Sequence, residues 1–514
     1  MISVIRCACL AVAGFSLFPA FSAWSSEIQT TFSLSPKMAL TELAKQVSDP
    51  ASTRFRKYFT AAEIRAKAGP TAAEHQKLVE AITARGLRVK GETKDGLFIT
   101  VSGDASAYEQ AFGVRITTDS KGSRTLSSPP KIPREMGLVA GISGLASTSK
   151  RVARYKLRKN GSVSQTPLGY SPAEIKKFYH IDEIEKTGAN GVGQDIAIAT
   201  YDDVSLYNVQ LYYLFNKINP LPIVDKIPVS GTPMINEFSA IETSLDAEFT
   251  GMMAPGANVH VFTSADNSEG GELALFNAIL DDGRAPVVNY SWGMCEQYLS
   301  AQHFSDMQTV FARAVAQGVN VFVASGDSGA VDCYDANGNP QPGLNFPSSD
   351  PNVISVGGTS IEDYNHVTIE AGWSGSGGGT SLYYAAPAYQ ASLKNAHRMN
   401  PDVSFNADPD FGQSIYLTFY GLQGFYEIGG TSMAAPQWVG LITLVNAARA
   451  KLLKKPVGFL NPILYGLSAS SYGENFNDIL YGDNGGYVCT AGWDGVTGLG
   501  SPKGKALFDT LVAF

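Results

Sequence analysis

Internal repeats, heptad runs and long polar tracts are absent from the 514-residue chain, which excludes solenoids, coiled coils and low-complexity tails. Charge is sparse, 17% against 44% hydrophobic residues, so a disordered chain is excluded too. Beyond the N-terminus no stretch reaches the ~20 uninterrupted apolar residues of a transmembrane helix. Cysteine is scarce. Of five, Cys7 and Cys9 fall in the leading apolar run, leaving Cys295, Cys333 and Cys489. An odd number allows one disulfide and one free thiol. There is no CxxC pair and no His/Cys cluster of zinc spacing, so a structural zinc is not expected. Only six histidines are present: His75, His180, His260, His303, His366 and His397.

What is abundant is turn chemistry, with 52 Gly and 26 Pro, as suits a loop-rich enzyme of about two to four domains. Arg6 precedes an apolar run, 7–21, that reads as an export signal cleaved near Ser22; Pro19 and the Ser-rich flank suit a buried helix poorly. Charge is divided unevenly. Residues 24–165 carry 23 Lys and Arg against 12 Asp and Glu, whereas residues 166–514 carry 15 against 35. The two parts should attract each other at neutral pH. Because the basic residues are interleaved with acids, their partner is expected in the same chain and not in nucleic acid.

The first part reads as a compact α+β unit. Thr71 to Glu74 forms a capping box ahead of an amphipathic helix stopped by Gly86. Two strand-like runs, 87–93 and 97–102, are joined through Asp95-Gly96, a hairpin signal. A short helix, 105–112, ends at Gly113 and leads to a strand at 114–118, in split β-α-β order. Residues 150–160 then carry five basic residues after Lys150 and no acid, followed by a polar turn-rich stretch. This reads as an exposed linker open to proteolysis, with a solvated basic strand as the alternative. Beyond it the pattern changes. Short apolar runs at 196–199, 259–263, 287–292 and 319–324 alternate with helical stretches at 241–253, 271–281 and 301–317. That is an α/β domain with a buried parallel sheet, whose chemistry gathers beyond the carboxyl ends of its strands.

The sharpest motif is Gly429-Gly430-Thr431-Ser432-Met433-Ala434-Ala435-Pro436. It sets Ser432 just before a long apolar helix, where free N–H groups and a positive dipole end suit a nucleophile. A plain helix N-cap is the bland alternative for a serine there. Glu242 and Asp246 lie four apart, on one helix face, a mildly destabilising like-charge pair that asks for a reason. If Asp246 holds a proton between them, Glu242 can accept the one leaving Ser432. Otherwise they are a solvated acidic face. Asp327 closes an apolar strand in Ser325-Gly326-Asp327-Ser328-Gly329, where a protonated carboxyl could donate to an oxyanion.

The octapeptide resembles the nucleophile motif of the subtilisin clan, yet no histidine here stands in the clan's His-Gly-Thr context. With Glu242, Asp246 and Asp327 added, the sequence resembles the sedolisin family of serine-carboxyl peptidases. That resemblance implies a subtilisin-like α/β catalytic domain with a parallel sheet, preceded by an α+β propeptide. It implies Ser432 as nucleophile, Glu242 as base, Asp246 as carboxyl partner and Asp327 in the oxyanion hole. Ser291, Trp292 and Gly293 resemble the substrate-cleft strand, and Gly379 belongs to a second cleft loop. Asp478, Ile479, Thr490, Gly492 and Asp494 resemble the ligands of one structural Ca²⁺, an oxygen-only set. Thr200 stands where some members extend the triad with Glu, leaving Asp202 or Asp203 as substitutes. Cys295 and Cys333 are expected to pair, with Cys489 left over.

The implied organisation is a signal peptide at 1–22, an activation domain at 23–149, a basic linker at 150–167 that carries the activating cut, and a catalytic domain at 168–514. The expected product is a secreted, acid-active monomer that hydrolyses polypeptides and is restrained by its own propeptide, with no nucleic-acid or membrane partner. Two alternatives stay open. One is a neutral subtilisin-type peptidase using His180 or His260 as base; the other is an inactive secreted calcium-binding protein.

Overall fold

The computed structural model describes residues 27–514, apart from 121, 148–149, 160, 162, 232, 234–239, 336 and 365–366. The expected signal peptide therefore lies outside the described residues. In the activation domain, the strand Ile28–Leu34 sits between Phe98–Gly103 and Val139–Ser143, with Arg88–Glu92 on the outer side of Phe98–Gly103. All three pairings are antiparallel. The hairpin closes at Gly96, whose φ of 72° no branched residue adopts without strain. Thr71 caps the helix Ala72–Thr83 reciprocally: its hydroxyl accepts from the Glu74 N–H at 3.3 Å and the Glu74 carboxylate accepts from its N–H at 2.7 Å. Phe32, Ile82, Ile99, Tyr108 and Phe112 fill a core of the domain's own.

The catalytic domain is built on an eight-stranded sheet. Its order is Ile223–Ser230, Asn258–Ser264, Asp195–Thr200, Val287–Tyr290, Asn320–Ala324, Ile354–Tyr364 and Val367–Gly372, with Val403–Asn406 also paired to Ile354–Tyr364. All pairings are parallel except that of Ile354–Tyr364 with Val367–Gly372. Central residues such as Ile196, Val259, Val288 and Val321 are fully buried, as continuous apolar runs require. Two helices, Ala240–Met253 and Thr431–Lys451, pack on each other and against this sheet. They bring the acid pair and the serine together.

The apolar run expected as one strand over 287–292 is broken at Ser291. Val287–Tyr290 stays in the sheet, while Trp292–Cys295 leaves it to pair with 152–153 and 345–346. Apolarity marked both pieces as buried, but carried no sign of the bend. Cys295 is disulfide-bonded to Cys333, and Cys489 is a buried free thiol.

The stretch after Lys150 is held against the rest of the fold along its first half, although Lys156, Arg158 and Lys159 are exposed. Val152–Ala153 pairs antiparallel with Trp292–Gly293, and Lys156–Leu157 pairs antiparallel with Ile428–Gly429. Ser164 bridges to Phe425. Arg151 is only 2% exposed. A run of like charge looks solvated when its partners lie more than a hundred residues away; here they are supplied by the catalytic domain.

The domains meet where Leu40–Ser48 lies along Ala301–Gln317. Beside this contact Arg313, fully buried, stands with Nε 2.7 Å from Asp95 Oδ2, an opposite-charge contact without hydrogen-bond alignment. Arg313 also donates to Asn277 at 3.0 Å and to Asp281. The buried pair thus runs against the net-charge pattern, with the acid in the activation domain and the base in the catalytic one. Removing one partner of such a pair strands the other. Arg313→Ala should lower the unfolding stability of the full-length chain by about 3–5 kcal/mol, read by urea denaturation. An unchanged midpoint would show that the pair does not hold the domains.

Candidate active site

Three stretches meet beyond the carboxyl ends of the central strands. Ser432 is the second residue of Thr431–Lys451, inside the first turn and not at the cap, which is Gly430. Its hydroxyl donates to Glu242 Oε2 at 2.9 Å. Glu242 and Asp246 are each 0% exposed on Ala240–Met253, so the acidic pair is buried and not a solvated face. Asp246 Oδ1 accepts from the Ser291 hydroxyl at 2.7 Å. Among the described residues, the remaining oxygens, Glu242 Oε1 and Asp246 Oδ2, have no hydrogen-bond partner. Burial pushes both carboxyls well above the ordinary range, and the Asp246 charge adds to the effect on Glu242. One proton between the two would remove the repulsion, so the pair titrates as a unit.

Asp327 is held by Thr431, whose N–H and hydroxyl donate to Oδ1 at 2.8 and 2.9 Å. Oδ2 is buried without a partner. Burial pushes the Asp327 carboxyl up to about 7, against the Thr431 bonds and the positive charge of Arg154. Gly430 separates these groups at a φ of 103°. A Cβ there would meet the Arg154 carbonyl oxygen at 2.6 Å and Asp327 Oδ2 at 2.7 Å, so the position requires glycine twice over.

The strand 151–154 lies across this cluster. The Arg154 carbonyl accepts from the Ser432 N–H at 2.9 Å. The Arg154 N–H donates to the Ser291 carbonyl and to Glu242 Oε2, both at 3.0 Å. Trp292 pairs with Ala153 and Gly293 with Val152, so all three residues of the expected cleft strand grip the linker. Gly379 does not lie on that strand; it lines a neighbouring cavity with Ala330, Gly343 and Tyr487.

Around the pair, the Thr200 hydroxyl meets that of Thr243 at 2.8 Å and accepts from the Trp292 indole at 3.2 Å. Asp203 is paired with Lys226 at 2.7 Å. Asp202 is the acid whose charge interacts with the pair; burial, then Asp246, pushes it up to about 8. His260 is bonded between Asp225 and Asp195, and His180 is at the surface beside Glu183. Among the described histidines none is bonded to Ser432.

The expected calcium ligands lie in one loop region. Asp478 accepts from the Tyr472 hydroxyl at 2.9 Å and the Gly492 N–H at 3.0 Å, and Asp494 accepts from the Thr490 N–H at 3.3 Å. Ile479 is buried beneath them. Among the described residues no three His, Cys, Asp or Glu side chains cluster to hold a metal ion. The set in question holds two carboxylates and otherwise backbone carbonyls, which suits only a hard, oxygen-loving cation.

Sequence reading missed the residues that receive the linker's side chains: Asp332 and Asn345 near Arg154, and Glu272 and His303 around Arg151. The one available signal was the Arg-Val-Ala-Arg spacing inside a run taken as solvated.

A family model described as "Pro-kumamolisin, activation domain" matches residues 23–148, and one described as "Subtilase family" matches residues 233–456. Kumamolisin of Bacillus sp. (strain MN-32) is 30% identical over 80% of this chain and 78% of its own. Tripeptidyl-peptidase 1 of Rattus norvegicus is 27% identical over 95% and 92%. The solved structure of Pseudomonas sedolisin (serine-carboxyl proteinase), in complex with two molecules of pseudo-iodotyrostatin, superposes with a TM-score of 0.59. It is 29% identical and covers 68% of this chain and 99% of its own. On these likenesses the chain belongs to the sedolisin family of serine peptidases and is made with an N-terminal activation domain.

Proposed function

We propose that the protein is a secreted, acid-active serine-carboxyl endopeptidase, made as a proenzyme that frees itself by cutting its own linker. The observation that carries this reading is the 2.9 Å hydrogen bond from Ser432 Oγ to a buried carboxylate in place of an imidazole. In the proposed cycle Glu242 Oε2 takes the Ser432 proton as Oγ attacks the scissile carbonyl. The resulting oxyanion is held by the Ser432 N–H and by a protonated Asp327 Oδ2. Glu242 returns the proton to the leaving amine, the acyl-enzyme forms on Ser432, and water then reverses the sequence. Asp246, sharing its proton, keeps the pair at a single negative charge. Ser291 fixes both Asp246, through its hydroxyl, and the substrate backbone, through its carbonyl.

The Arg154 carbonyl already sits on the Ser432 N–H beside Asp327, which supports Arg154–Tyr155 as the bond cut in activation. Until then the linker denies the cleft to other polypeptides, so the propeptide acts as inhibitor and, through its own core, as folding aid. The N-terminal apolar run supports secretion. The chain is proposed to work as a monomer with neither nucleic acid nor membrane as partner.

We further propose one structural Ca²⁺, held by the carboxylates of Asp478 and Asp494 and the carbonyls of Ile479, Thr490 and Gly492. The ion would tie the C-terminal loop together; it takes no part in the chemistry.

Incubated near pH 4, the proenzyme should lose roughly its first 150 residues in a mass measurement, whereas Ser432→Ala and Glu242→Gln should stay intact. Cleavage in the Ser432→Ala chain would remove the serine from the mechanism.

Because Asp327 must be neutral, activity should fall as pH rises through about 7. The sign for stability is the same. A carboxyl whose folded pKa is raised binds more protons folded than unfolded between about 4 and 7, so its contribution is present in acid and lost on the way to neutrality. Asp327→Asn keeps a donor at every pH and should move the alkaline limb upward, while Asp327→Ala should cost about 10²–10³ in kcat. A pH profile identical in wild type and Asp327→Asn would rule out this assignment.

A chelator should lower the Tm of the activated protein, and added Ca²⁺ should restore it. In Asp494→Ala neither treatment should matter.

A further inference from the structure

Resting on the reading of the linker as the enzyme's first substrate, we propose that the cleft selects Arg-x-x-Arg, with one arginine on the amino side of the cut bond and a second three residues before it.

Arg154 and Arg151 take these two positions, and the chain alternates between them. Arg151 is buried, Val152 is 56% exposed and Ala153 is half-buried. The middle residues present little to the protein beyond backbone, which the cleft strand reads through Trp292 and Gly293. Discrimination therefore falls on the two arginines.

The pocket for Arg151 is closed and charged. Its guanidinium, Glu272 and His303 all have side chains with no exposure. Arg151 Nη2 donates to Glu272 Oε2 at 2.5 Å and lies 2.6 Å from His303 Nε2. The Tyr290 hydroxyl donates to Glu272 Oε1 at 2.6 Å, so the carboxylate is held in place by the fold and not by its guest alone. Its backbone is tied as well, the Arg151 N–H donating to the Asn267 carbonyl at 3.1 Å. Burial pushes Glu272 up, but Arg151 and His303 outweigh it and hold the carboxyl at about 2. It therefore stays ionised toward a guanidinium even in acid. A neutral side chain in this pocket would leave a buried carboxylate short of its countercharge, and an acidic one would be repelled.

The pocket for Arg154 is lined by the turn after Asn320–Ala324. Its Nη2 donates to Asn345 Oδ1, and Asn345 Nδ2 donates in turn to the Ser325 carbonyl at 3.3 Å, so the amide is oriented with its oxygen toward the guest. Asp332 is 5% exposed and hydrogen-bonded by Ser328, and among the described residues its Oδ1 has no partner. A Cβ on Gly326 would fall 1.8 Å from Asp332 Oδ2, so that glycine keeps the space the carboxylate occupies. Burial pushes Asp332 up to about 6 against the charge of Arg154, so near pH 4 this carboxyl is neutral and the oriented Asn345 amide reads the arginine. Both pockets belong to the catalytic domain and outlast the linker. The next chain to enter meets the same two pockets, one with the ionised Glu272 and one with the Asn345 amide.

The test uses the full chain activated by its own acid incubation and four quenched fluorescent peptides, identical except for Arg-Val-Ala-Arg, Ala-Val-Ala-Arg, Arg-Val-Ala-Ala or Glu-Val-Ala-Phe before the cut. The Arg-Val-Ala-Arg peptide should exceed each singly replaced one at least tenfold in kcat/KM, and exceed the last by more. In Asn345→Ala the preference for Arg over Ala beside the cut should shrink with the preference at the distal position unchanged; in Glu272→Gln the reverse should hold. Should Glu272→Gln fail to fold, the wild-type series still decides. Equal rates across the four peptides, with digestion abolished by Ser432→Ala, would overturn the selectivity and leave the peptidase reading standing. A chain with Ser432 intact that neither processes itself nor cuts any of the four overturns both.

Discussion

A serine hydroxyl bonded to a fully buried carboxylate is the constraint from which the rest of this molecule follows. Glu242 and Asp246 are both fully buried, four residues apart on one helix. Two negative charges there would be prohibitively desolvated, so the arrangement is workable only with a proton between them. Asp327 is under the same pressure for the same reason. Instead of a base tuned to neutrality, as an imidazole is, the protein has three acids lifted by burial. Under the proposed mechanism, that burial would displace the chemistry toward lower pH.

The same burial explains how the site is assembled. No single element could carry it, because each polar group needs partners from elsewhere. Thr431 holds Asp327 while placing Ser432 one residue further on. Ser291 uses its hydroxyl on Asp246 and its carbonyl on the bound strand. Gly430 removes the side chain that would obstruct both the incoming carbonyl and Asp327. The bend at Ser291, which ends one strand and begins the cleft, is what lets a residue of the sheet serve the site.

The linker completes the cluster in the proenzyme, supplying an N–H to Glu242 and two guanidiniums to acidic pockets. On the proposed reading, restraint and recognition use one set of contacts. The domain interface adds a second, independent lock in Arg313 and Asp95, of polarity opposite to the overall charge division. Net charge carried no information on where a buried contact of this polarity lies.

Much of the site was legible along the chain. The octapeptide around Ser432, the four-residue spacing of Glu242 and Asp246, and the turn holding Asp327 are local patterns, set by helix periodicity and by where strands end. The capping box at Thr71, the hairpin at Gly96 and the alternation of apolar runs are local in the same way, so the fold class could be read from them. What could not be read depends on partners distant in sequence. Arg151 looked solvated because Glu272 and His303 lie more than a hundred residues on, and Asp332 and Asn345 become a pocket only when Gly326 brings the turn against them. Asp202 comes into range of the acid pair only once its strand is laid beside their helix. Sequence determined which groups could do chemistry, since that is a property of residue type and short-range spacing. Tertiary structure alone decided which of them are buried, and burial sets their protonation and the charge of whatever binds beside them.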